Sequence, residues 1–447
     1  MKKEKSVMVE EKLKNASKTE YVITEFGAKS CDKLQTKPIQ NAIDQCFLQG
    51  GGRVVIPRGI YLTGGLRLRS NVVLYLESGA VLKGSIDPED YTGYLKDEIE
   101  PIDDFDDETI SRSVYPFSRW NNAIIRVIDA KNVAIIGEKG SYIDGQNCYD
   151  SLGEEGYRGP HVINIQRSEG VLLDGYSLKD SANWAHAIFQ TKNIVAKNLI
   201  VYGGHDGFDI RTCDNVLIEH CNFYTGDDCI AGFDNHDVVI RDCILDCACS
   251  ALRFGGNHVL VENCKSVAPS RYGFRGSLSE EQRKARAETD EHCRHNMHTP
   301  FKYYCDFRAE IRKTPGDIII RNCEFENPDA FFQLEFDGKH KWCTNRSLSS
   351  IRFEHCKAWG VSKPILIHGD EKEPLEFVLD HVEITARKGY ENVNVLEGTH
   401  YSKISFQSVT LNGYESPSAV LKTKGRIEIT QSSEIIIKEE RGDSNDS

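Results

Sequence analysis

Short runs of aliphatic and β-branched residues recur along the chain at a nearly constant interval. The first clear runs end, in order, at Gly175, Asn198, Cys221, Cys243 and Cys264. Successive ends are 23, 23, 22 and 21 residues apart, and the pattern returns at 318–323 and 351–356. A period near 22 residues with no helical repeat is typical of a parallel β-solenoid, whose coils bury their inner faces against each other. The predicted fold class is therefore all-β, a parallel β-helix.

Three of these run ends are cysteines that lie one period apart. Because coil stacking places like residues above like, Cys221, Cys243 and Cys264 are expected to form a column. Free cysteine packs as a small buried hydrophobe. We therefore predict a ladder of thiols inside the solenoid.

A helix is predicted before the first strand, starting at Thr36 as its capping residue, with a proline in its first turn. Ile39, Ile43 and Phe47 are spaced four residues apart, which places them on one apolar face. The helix is expected to stop at the glycines of 50–52. Such a helix would cover the open end of the solenoid, where unpaired strand edges otherwise invite aggregation.

The predicted organisation comprises an N-terminal tail (1–20), a β-helix domain (21–431) and a fraying polar C-terminal tail (432–447). Two stretches interrupt the repeat. Residues 84–125 are rich in Asp, Glu, Tyr and Pro and are expected to form a long loop. Residues 268–315 are expected to be an insertion, with a charged, helix-prone segment at 279–288. We expect both to lie at coil turns beside a cleft.

The 447 residues include 55 Lys and Arg against 68 Asp and Glu, a formal charge of −13. This balance argues against nucleic acid and membranes as partners, because both are bound through a basic face. No apolar run approaches the roughly 18 residues of a membrane span, and no signal peptide is recognised. The 15 cysteines are therefore expected to be reduced thiols in a cytoplasmic protein. No cofactor motif is found, and the oligomeric state stays open, a homo-oligomer included.

Two acidic turns lie one period apart. Asp206 stands in a Gly-His-Asp-Gly segment, and Asp227 and Asp228 stand in Gly-Asp-Asp-Cys. Their separation, 227 − 206 = 21, matches one coil, so three carboxylates are expected on one face. Crowding raises the pKa of at least one such acid, which leaves a proton donor beside ionised bases, as glycoside cleavage requires. The alternative is that Asp and Gly only form turns here.

A family resemblance rests on motifs that follow one another along residues 21–425. They are Glu25-Phe-Gly-Ala28, Gly50-Gly-Gly-Arg-Val-Val-Ile-Pro57 with Tyr61, Gly79-Ala-Val-Leu-Lys-Gly-Ser85, Ile143-Asp-Gly-Gln146, Asn183-Trp184, Gly226-Asp-Asp-Cys229 and Lys363-Pro-Ile-Leu-Ile-His-Gly369. Together they resemble the family 28 glycoside hydrolases, the polygalacturonase family of the pectin-lyase-like superfamily. The resemblance implies a right-handed, single-stranded parallel β-helix.

For the chemistry, the resemblance implies inverting hydrolysis of a pectin-like plant cell-wall oligosaccharide or a related one. Asp227 resembles the general acid, and Asp206 and Asp228 resemble the pair that activates water. Inverting hydrolysis needs about 6.5–9.5 Å between acid and base.

The chain also departs from the family pattern. It has Gly-His205-Asp where the family has Asn-Thr-Asp, and Cys249 where the family has a histidine. Of the family's Arg-x-Lys carboxylate grip it keeps only Arg275, since Ser277 stands at the lysine position. Arg253 is expected either to supply the missing cation or to form a surface ion pair. Homogalacturonan is therefore predicted to be a poor substrate, with a neutral or mixed glycoside preferred.

The predicted substrate-binding residues are His205, Cys249, Arg253, Arg275 and Trp184. Trp184 is expected either to stack on a sugar or to pack in the core. Metal binding is not predicted, although two further sets of residues were weighed as ligands: the thiols of Cys243, Cys247 and Cys249, and the imidazoles of His292, His295 and His298.

The preferred function is an exo-acting glycosidase on imported oligosaccharides. Two alternatives stay open, a polysaccharide lyase on the same solenoid and a non-catalytic carbohydrate-binding β-helix.

Overall fold

The computed structural model describes residues 13, 19–91, 119–150, 158–279, 281–282, 292–305, 312–336 and 346–439. The chain divides into two compact units. Unit 1 comprises residues 1–227 and 272–294, and unit 2 comprises residues 228–271 and 295–447.

Unit 1 is built from short strands joined by tight turns. In chain order the strands are β1 (Glu20–Val22), β2 (Gly52–Ile56), β3 (Gly59–Thr63), β4 (Leu66–Leu68), β5 (Val72–Leu76), β6 (Ala80–Gly84), β7 (Ala123–Ile128), β8 (Lys131–Gly137), β9 (Tyr142–Asp144), β10 (His161–Gln166), β11 (Glu169–Asp174), β12 (Ser177–Lys179), β13 (His186–Phe189), β14 (Lys192–Lys197), β15 (Ile200–Gly203), β16 (Phe208–Arg211), β17 (Asp214–Glu219) and β18 (Asn222–Thr225). The described residues of unit 1 also include the α-helix α1 (Thr36–Leu48) and the 3₁₀ turns Ile23–Phe26, Pro88–Tyr91, Arg119–Asn121 and Arg275–Ser277.

From β4 to β18 each coil contributes three strands, and each strand pairs in parallel with its equivalent one coil away. The β11, β14 and β17 column, for example, aligns Val171 with Ile194 and Ile194 with Val216. These three side chains are at most 1% exposed. Burial of such a side chain contributes about 1.5–3 kcal/mol, so the repeated apolar runs are the main source of stability.

Unit 2 continues the same pattern with its own strands. They are β19 (Ile230–Arg241), β20 (Ile244–Cys247), β21 (Ser250–Glu262), β22 (Lys265–Val267), β23 (Thr299–Tyr303), β24 (Gly316–Arg321), β25 (Glu324–Glu326), β26 (Gln333–Glu335), β27 (Ser350–Glu354), β28 (Lys357–Val361), β29 (Ile365–His368), β30 (Leu375–Asp380), β31 (Glu383–Ala386), β32 (Leu396–Thr399), β33 (Tyr401–Gln407), β34 (Thr410–Asn412), β35 (Ser418–Leu421), β36 (Arg426–Thr430) and β37 (Ile436–Glu439). Parallel pairing one coil apart confirms the predicted all-β parallel β-helix.

The residue that precedes each cysteine of the repeat has a left-handed backbone. Asp242, Asn263, Asn322 and His355 all have φ between 51° and 56°. Asn, Asp and His tolerate this region better than other non-glycine residues. The recurrent pair of such a residue and a cysteine therefore marks the corner of each coil.

The predicted thiol ladder is buried as expected. In unit 2 it contains Cys243 and Cys264 and extends to Cys323 and Cys356, all at most 4% exposed. The Cys264 and Cys356 thiols donate to main-chain carbonyls of the preceding coil, at 3.9 Å and 3.5 Å. Cys221 is buried in unit 1. All the described cysteines are free thiols.

The N-terminal helix is confirmed, with two corrections. Its flanking residue is Gln35, and Thr36 is already helical and accepts a hydrogen bond from the Gly64 amide at 2.8 Å. Ile39 and Ile43 are fully buried, whereas Phe47 is 39% exposed. An α-helix has 3.6 residues per turn, so Phe47, eight residues after Ile39, lies off the buried face of the helix. Cys46 is buried on that face instead.

Three segment boundaries in the structure differ from the predicted ones. β7 begins at Ala123, inside the predicted loop 84–125, and the remainder of that loop at 92–118 lies outside the described residues. β23 lies inside the predicted insertion 268–315 and pairs with β21, so this part belongs to the solenoid. The predicted helix at 279–288 lies mostly outside the described residues. β37 lies within the predicted tail 432–447 and pairs with β35.

Within the described ranges, no helix combines the length and the apolar character that crossing a membrane requires.

Candidate active site

The turns that follow β15 and β18 in unit 1 are stacked in register. Gly203 aligns with Thr225, and the Gly226 amide donates to the Gly203 carbonyl at 2.9 Å. A side chain at Gly226 would lie 2.7 Å from the Gly204 carbonyl oxygen, so the two backbones stay in contact beyond the strands. The local repeat is 22 residues, one more than the spacing of Asp206 and Asp227, so extending the register by two residues aligns Asp227 with His205.

Asp206 and Asp227 lie on these two turns. Asp206 is 2% exposed, and its carbonyl accepts a hydrogen bond from the Ala185 amide at 2.9 Å. Asp227 is partly exposed, and the Thr225 hydroxyl donates to its carbonyl at 3.1 Å. Asp206 is thus buried and Asp227 partly exposed, a difference of environment that suits different roles.

His205 lies in a pocket of unit 1 lined by two arginines and a tyrosine. Arg158 Nη1 is 3.5 Å from His205 Nδ1. The Tyr149 ring meets the imidazole edge-on at 5.8 Å between centroids, and the Arg275 guanidinium lies 4.4 Å above the Tyr149 ring. Burial, reinforced by the positive charges of Arg158 and Arg275, holds the pKa of His205 well below its ordinary value. The imidazole is therefore neutral at physiological pH.

Residues 273–277 bring Arg275 to this pocket. The Phe274 amide donates to the Arg294 carbonyl at 2.8 Å, and the Gly273 carbonyl abuts Gly226. Arg275 begins a short 3₁₀ turn and is 4% exposed. The segment therefore fixes a buried cation over the turn that carries Asp227.

In unit 2, Asp228 is held by two donors. The Ser250 amide donates to one carboxylate oxygen at 2.9 Å, and Arg253 Nε donates to the other at 2.5 Å. The Arg253 guanidinium also lies 4.5 Å from the centre of the Tyr304 ring. Arg253 was expected to bind substrate or to form a surface ion pair. The structure places it in an ion pair, and that pair is buried and orients Asp228.

Two of the three cysteines weighed as metal ligands are engaged with other thiols. Burial raises the pKa of the Cys247 thiol well above its ordinary value, and that thiol hydrogen-bonds with Cys229. Cys243 belongs to the thiol ladder. Cys249 is partly exposed, and its contact with substrate stays a prediction.

Trp184 is only 8% exposed. His161 stacks on its ring at 5.4 Å, and the Arg211 guanidinium lies 4.7 Å from the ring centre. Trp120 meets it edge-on at 5.8 Å. These contacts favour core packing over sugar stacking.

Two residues of the His205 pocket, Arg158 and Tyr149, were not predicted from the sequence. They come from a segment outside the regular runs, so the repeat gives no coil register for them. Tyr149 follows the Ile143-Asp-Gly-Gln146 motif by three residues, which was the available signal; Arg158 had none.

A sequence model of the family described as Glycosyl hydrolases family 28 matches residues 109–249. This region includes Asp206, Asp227 and Asp228. A probable polygalacturonase of Vitis vinifera is 26% identical over 221 residues, which cover 46% of this chain and 43% of that protein. An exo-poly-alpha-D-galacturonosidase of Dickeya chrysanthemi is 25% identical over 256 residues, covering 46% and 41%. The chain thus matches less than half the length of these curated relatives.

Solved structures share the fold. A family 28 exopolygalacturonase of Yersinia enterocolitica superposes with a TM-score of 0.63 and 18% identity, covering 94% of this chain and 78% of that chain. The Streptococcus pneumoniae surface protein and adhesin PfbA gives 0.53 and 14%, covering 94% and 100%. Such low identities establish the fold alone. Together with the sequence matches, they confirm the resemblance to the family 28 glycosyl hydrolases.

Proposed function

We propose that this protein is an inverting glycosidase that releases sugars from the ends of short, pectin-like oligosaccharides. The observation that carries the proposal is the stacking of two successive turns that hold Asp206 and Asp227 within the region matching family 28. Asp227, the more exposed of the two, is the general acid in this mechanism. Asp206 and Asp228 hold and activate the water.

The arrangement around Asp228 supports its part in this mechanism. The Ser250 amide donates to one carboxylate oxygen and Arg253 Nε donates to the other. These donors hold the carboxylate in one orientation, and a group that orients water must itself be held in place.

The charges near His205 favour a uronate over a neutral sugar. A guanidinium binds carboxylates with two parallel hydrogen bonds, and Arg158 and Arg275 both act on His205. The prediction that homogalacturonan is a poor substrate assumed that the family's second cation has no replacement. Arg158 weakens that assumption, and we now expect short oligogalacturonates to be cleaved. The relatives named as polygalacturonase and exo-poly-alpha-D-galacturonosidase point the same way.

We also propose that the protein works in the cytoplasm. Its composition and the free thiols of the described cysteines suit a reducing compartment. An enzyme there meets substrates small enough to be imported, which fits the release of single sugars from chain ends.

The test is Asp227→Asn assayed on digalacturonate and trigalacturonate. We expect kcat to fall at least about 10²-fold with the fold intact, because general acid catalysis contributes about 10²–10⁴-fold. Asp237→Asn is the matched control, since Asp237 is a partly exposed residue of β19 paired with His258; it should leave kcat unchanged.

Product analysis separates the alternatives. Hydrolysis yields only a new reducing end, whereas a lyase yields an unsaturated uronide that absorbs ultraviolet light. Binding without any product would indicate the non-catalytic alternative. Full activity in a folded Asp227→Asn protein would overturn the mechanism.

A further inference from the structure

One ring nitrogen of His205 is buried and makes no hydrogen bond to the residues that the structure describes. The residue is 5% exposed, and its Nε2 has no hydrogen-bond partner among the residues that the structure describes. A buried polar atom without a partner is costly, and a bound group can supply the missing partner.

The contact with Arg158 determines which nitrogen carries the proton. A guanidinium has only donors, so at 3.5 Å Nδ1 of His205 can only accept from Arg158 Nη1. A neutral imidazole whose Nδ1 accepts has its proton on Nε2. Nε2 is therefore a hydrogen-bond donor.

The position of His205 links this donor to the proposed chemistry. His205 lies two residues after Gly203 and Asp227 two residues after Thr225, and Gly203 and Thr225 are aligned on neighbouring strands, which lie about 4.8 Å apart. A sugar held against Asp227 would lie beside the imidazole. Because Arg158 contacts the ring and Arg275 lies over the neighbouring Tyr149 ring, a carboxylate-bearing sugar suits the pocket best.

We propose that Arg158 fixes His205 in the Nε2–H tautomer, and that this N–H donates a hydrogen bond to an oxygen of the uronate bound at Asp227. This inference rests on the proposed glycosidase function. It makes His205 a substrate-binding residue and Arg158 a positioning residue that acts through it.

Two substitutions at position 205 separate the donor from the rest of the ring. In His205→Gln the amide nitrogen can reach the place of Nε2, whereas in His205→Asn it lies nearer the place of Nδ1. We expect the Gln variant to stay within about tenfold of the original kcat/KM on digalacturonate. The Asn variant should lose about 10²-fold, the effect of a missing buried hydrogen bond to substrate. Equal activity in both variants would contradict the proposal.

A spectroscopic readout tests the tautomer without using activity. In full-length protein labelled with ¹⁵N-histidine, His205 should show the neutral Nε2–H pattern from pH 8 to pH 5. Arg158→Met should mix the tautomers, and Arg167→Met, which removes an exposed arginine paired with Asp129, should not. An Nδ1–H pattern or an imidazolium at His205 would overturn the assignment.

Ligand binding completes the test. Adding D-galacturonate to Asp227→Asn protein should shift the His205 Nε2 resonance, and glucose at the same concentration should not. An unchanged His205 Nε2 chemical shift at saturating galacturonate would contradict the proposal, even if the enzyme hydrolyses pectin fragments. A shifted resonance in a protein that hydrolyses none of them would instead support the binding role and refute the glycosidase function.

Discussion

At the scale of single residues, the ion pair of Arg253 and Asp228 is expected to affect stability as well as activity. The Asp228 side chain is 2% exposed and that of Arg253 is 14% exposed. Removing one partner of a buried pair leaves an uncompensated charge and costs about 3–5 kcal/mol. We expect Arg253→Met to lower the free energy of unfolding by about 3 kcal/mol in urea titrations.

The double variant Arg253→Met/Asp228→Asn provides the control. It removes both charges and keeps an acceptor for the Ser250 amide, so most of the stability should return while activity stays lost. If the double variant is no more stable than Arg253→Met, the buried charge is not the cause.

Buried histidines make the stability of unit 1 sensitive to pH. Burial lowers the pKa of His161 to about 3 and that of His186 to about 4. Above pH 6.5 neither the folded nor the unfolded chain protonates these rings, and their contribution to stability is complete. Below pH 6.5 only the unfolded chain takes up the protons, so stability falls by about 1.4 kcal/mol per pH unit for each ring.

The matched variants are His186→Gln and His381→Gln. His186 is fully buried, with Nδ1 on the Gly207 carbonyl at 3.0 Å, whereas the His381 side chain is 58% exposed. Urea unfolding between pH 6.5 and pH 5 should show a slope smaller by about 1.4 kcal/mol per pH unit in His186→Gln. His381→Gln should keep the original slope. An unchanged slope in His186→Gln would mean that this ring is protonated in the folded protein.

At the scale of elements, Gly226 joins the turn after β18 to the segment that carries Arg275. An added Cβ would press on the Gly273 carbonyl and lie 2.7 Å from the Gly204 carbonyl. Backbone on both sides cannot give way cheaply, so Gly226→Ala should cost about 1–3 kcal/mol and displace Arg275. We expect a raised KM for oligogalacturonates together with a lower melting temperature.

Gly27→Ala is the control for this substitution. Gly27 has φ of 92° and nothing within 4 Å of an added Cβ, so the change strains only the local backbone. It should lower stability by about 1–2 kcal/mol and leave KM unchanged. Equal KM values in the two variants would show that Gly226 does not affect substrate binding.

At the scale of the whole molecule, cleavage from chain ends predicts how viscosity and product formation relate. An exo-acting enzyme releases reducing ends while the polymer keeps most of its length. We expect single sugars to appear early from trigalacturonate, and the viscosity of a long galacturonan to stay nearly constant as reducing ends accumulate. Rapid loss of viscosity with mid-chain fragments would contradict exo action.

The fold and the stacking of the two acidic turns could be predicted from the sequence. Apolar runs near a 22-residue period fix which residues become neighbours, because each coil can bury its inner face only against the same face of the next. The cysteine column and the adjacency of the acidic turns follow from that rule. The helix α1 could also be predicted, from local signals, but the exposure of Phe47 could not.

The surroundings of the candidate site could not be predicted from the sequence pattern. Arg158 and Arg275 reach His205 from segments outside the repeat, and the length of such a segment is not set by the coil. The partner of Arg253 depended on which way one side chain of β21 faces. Periodicity specifies backbone neighbours, but the contacts of long charged side chains depend on packing that no local pattern encodes.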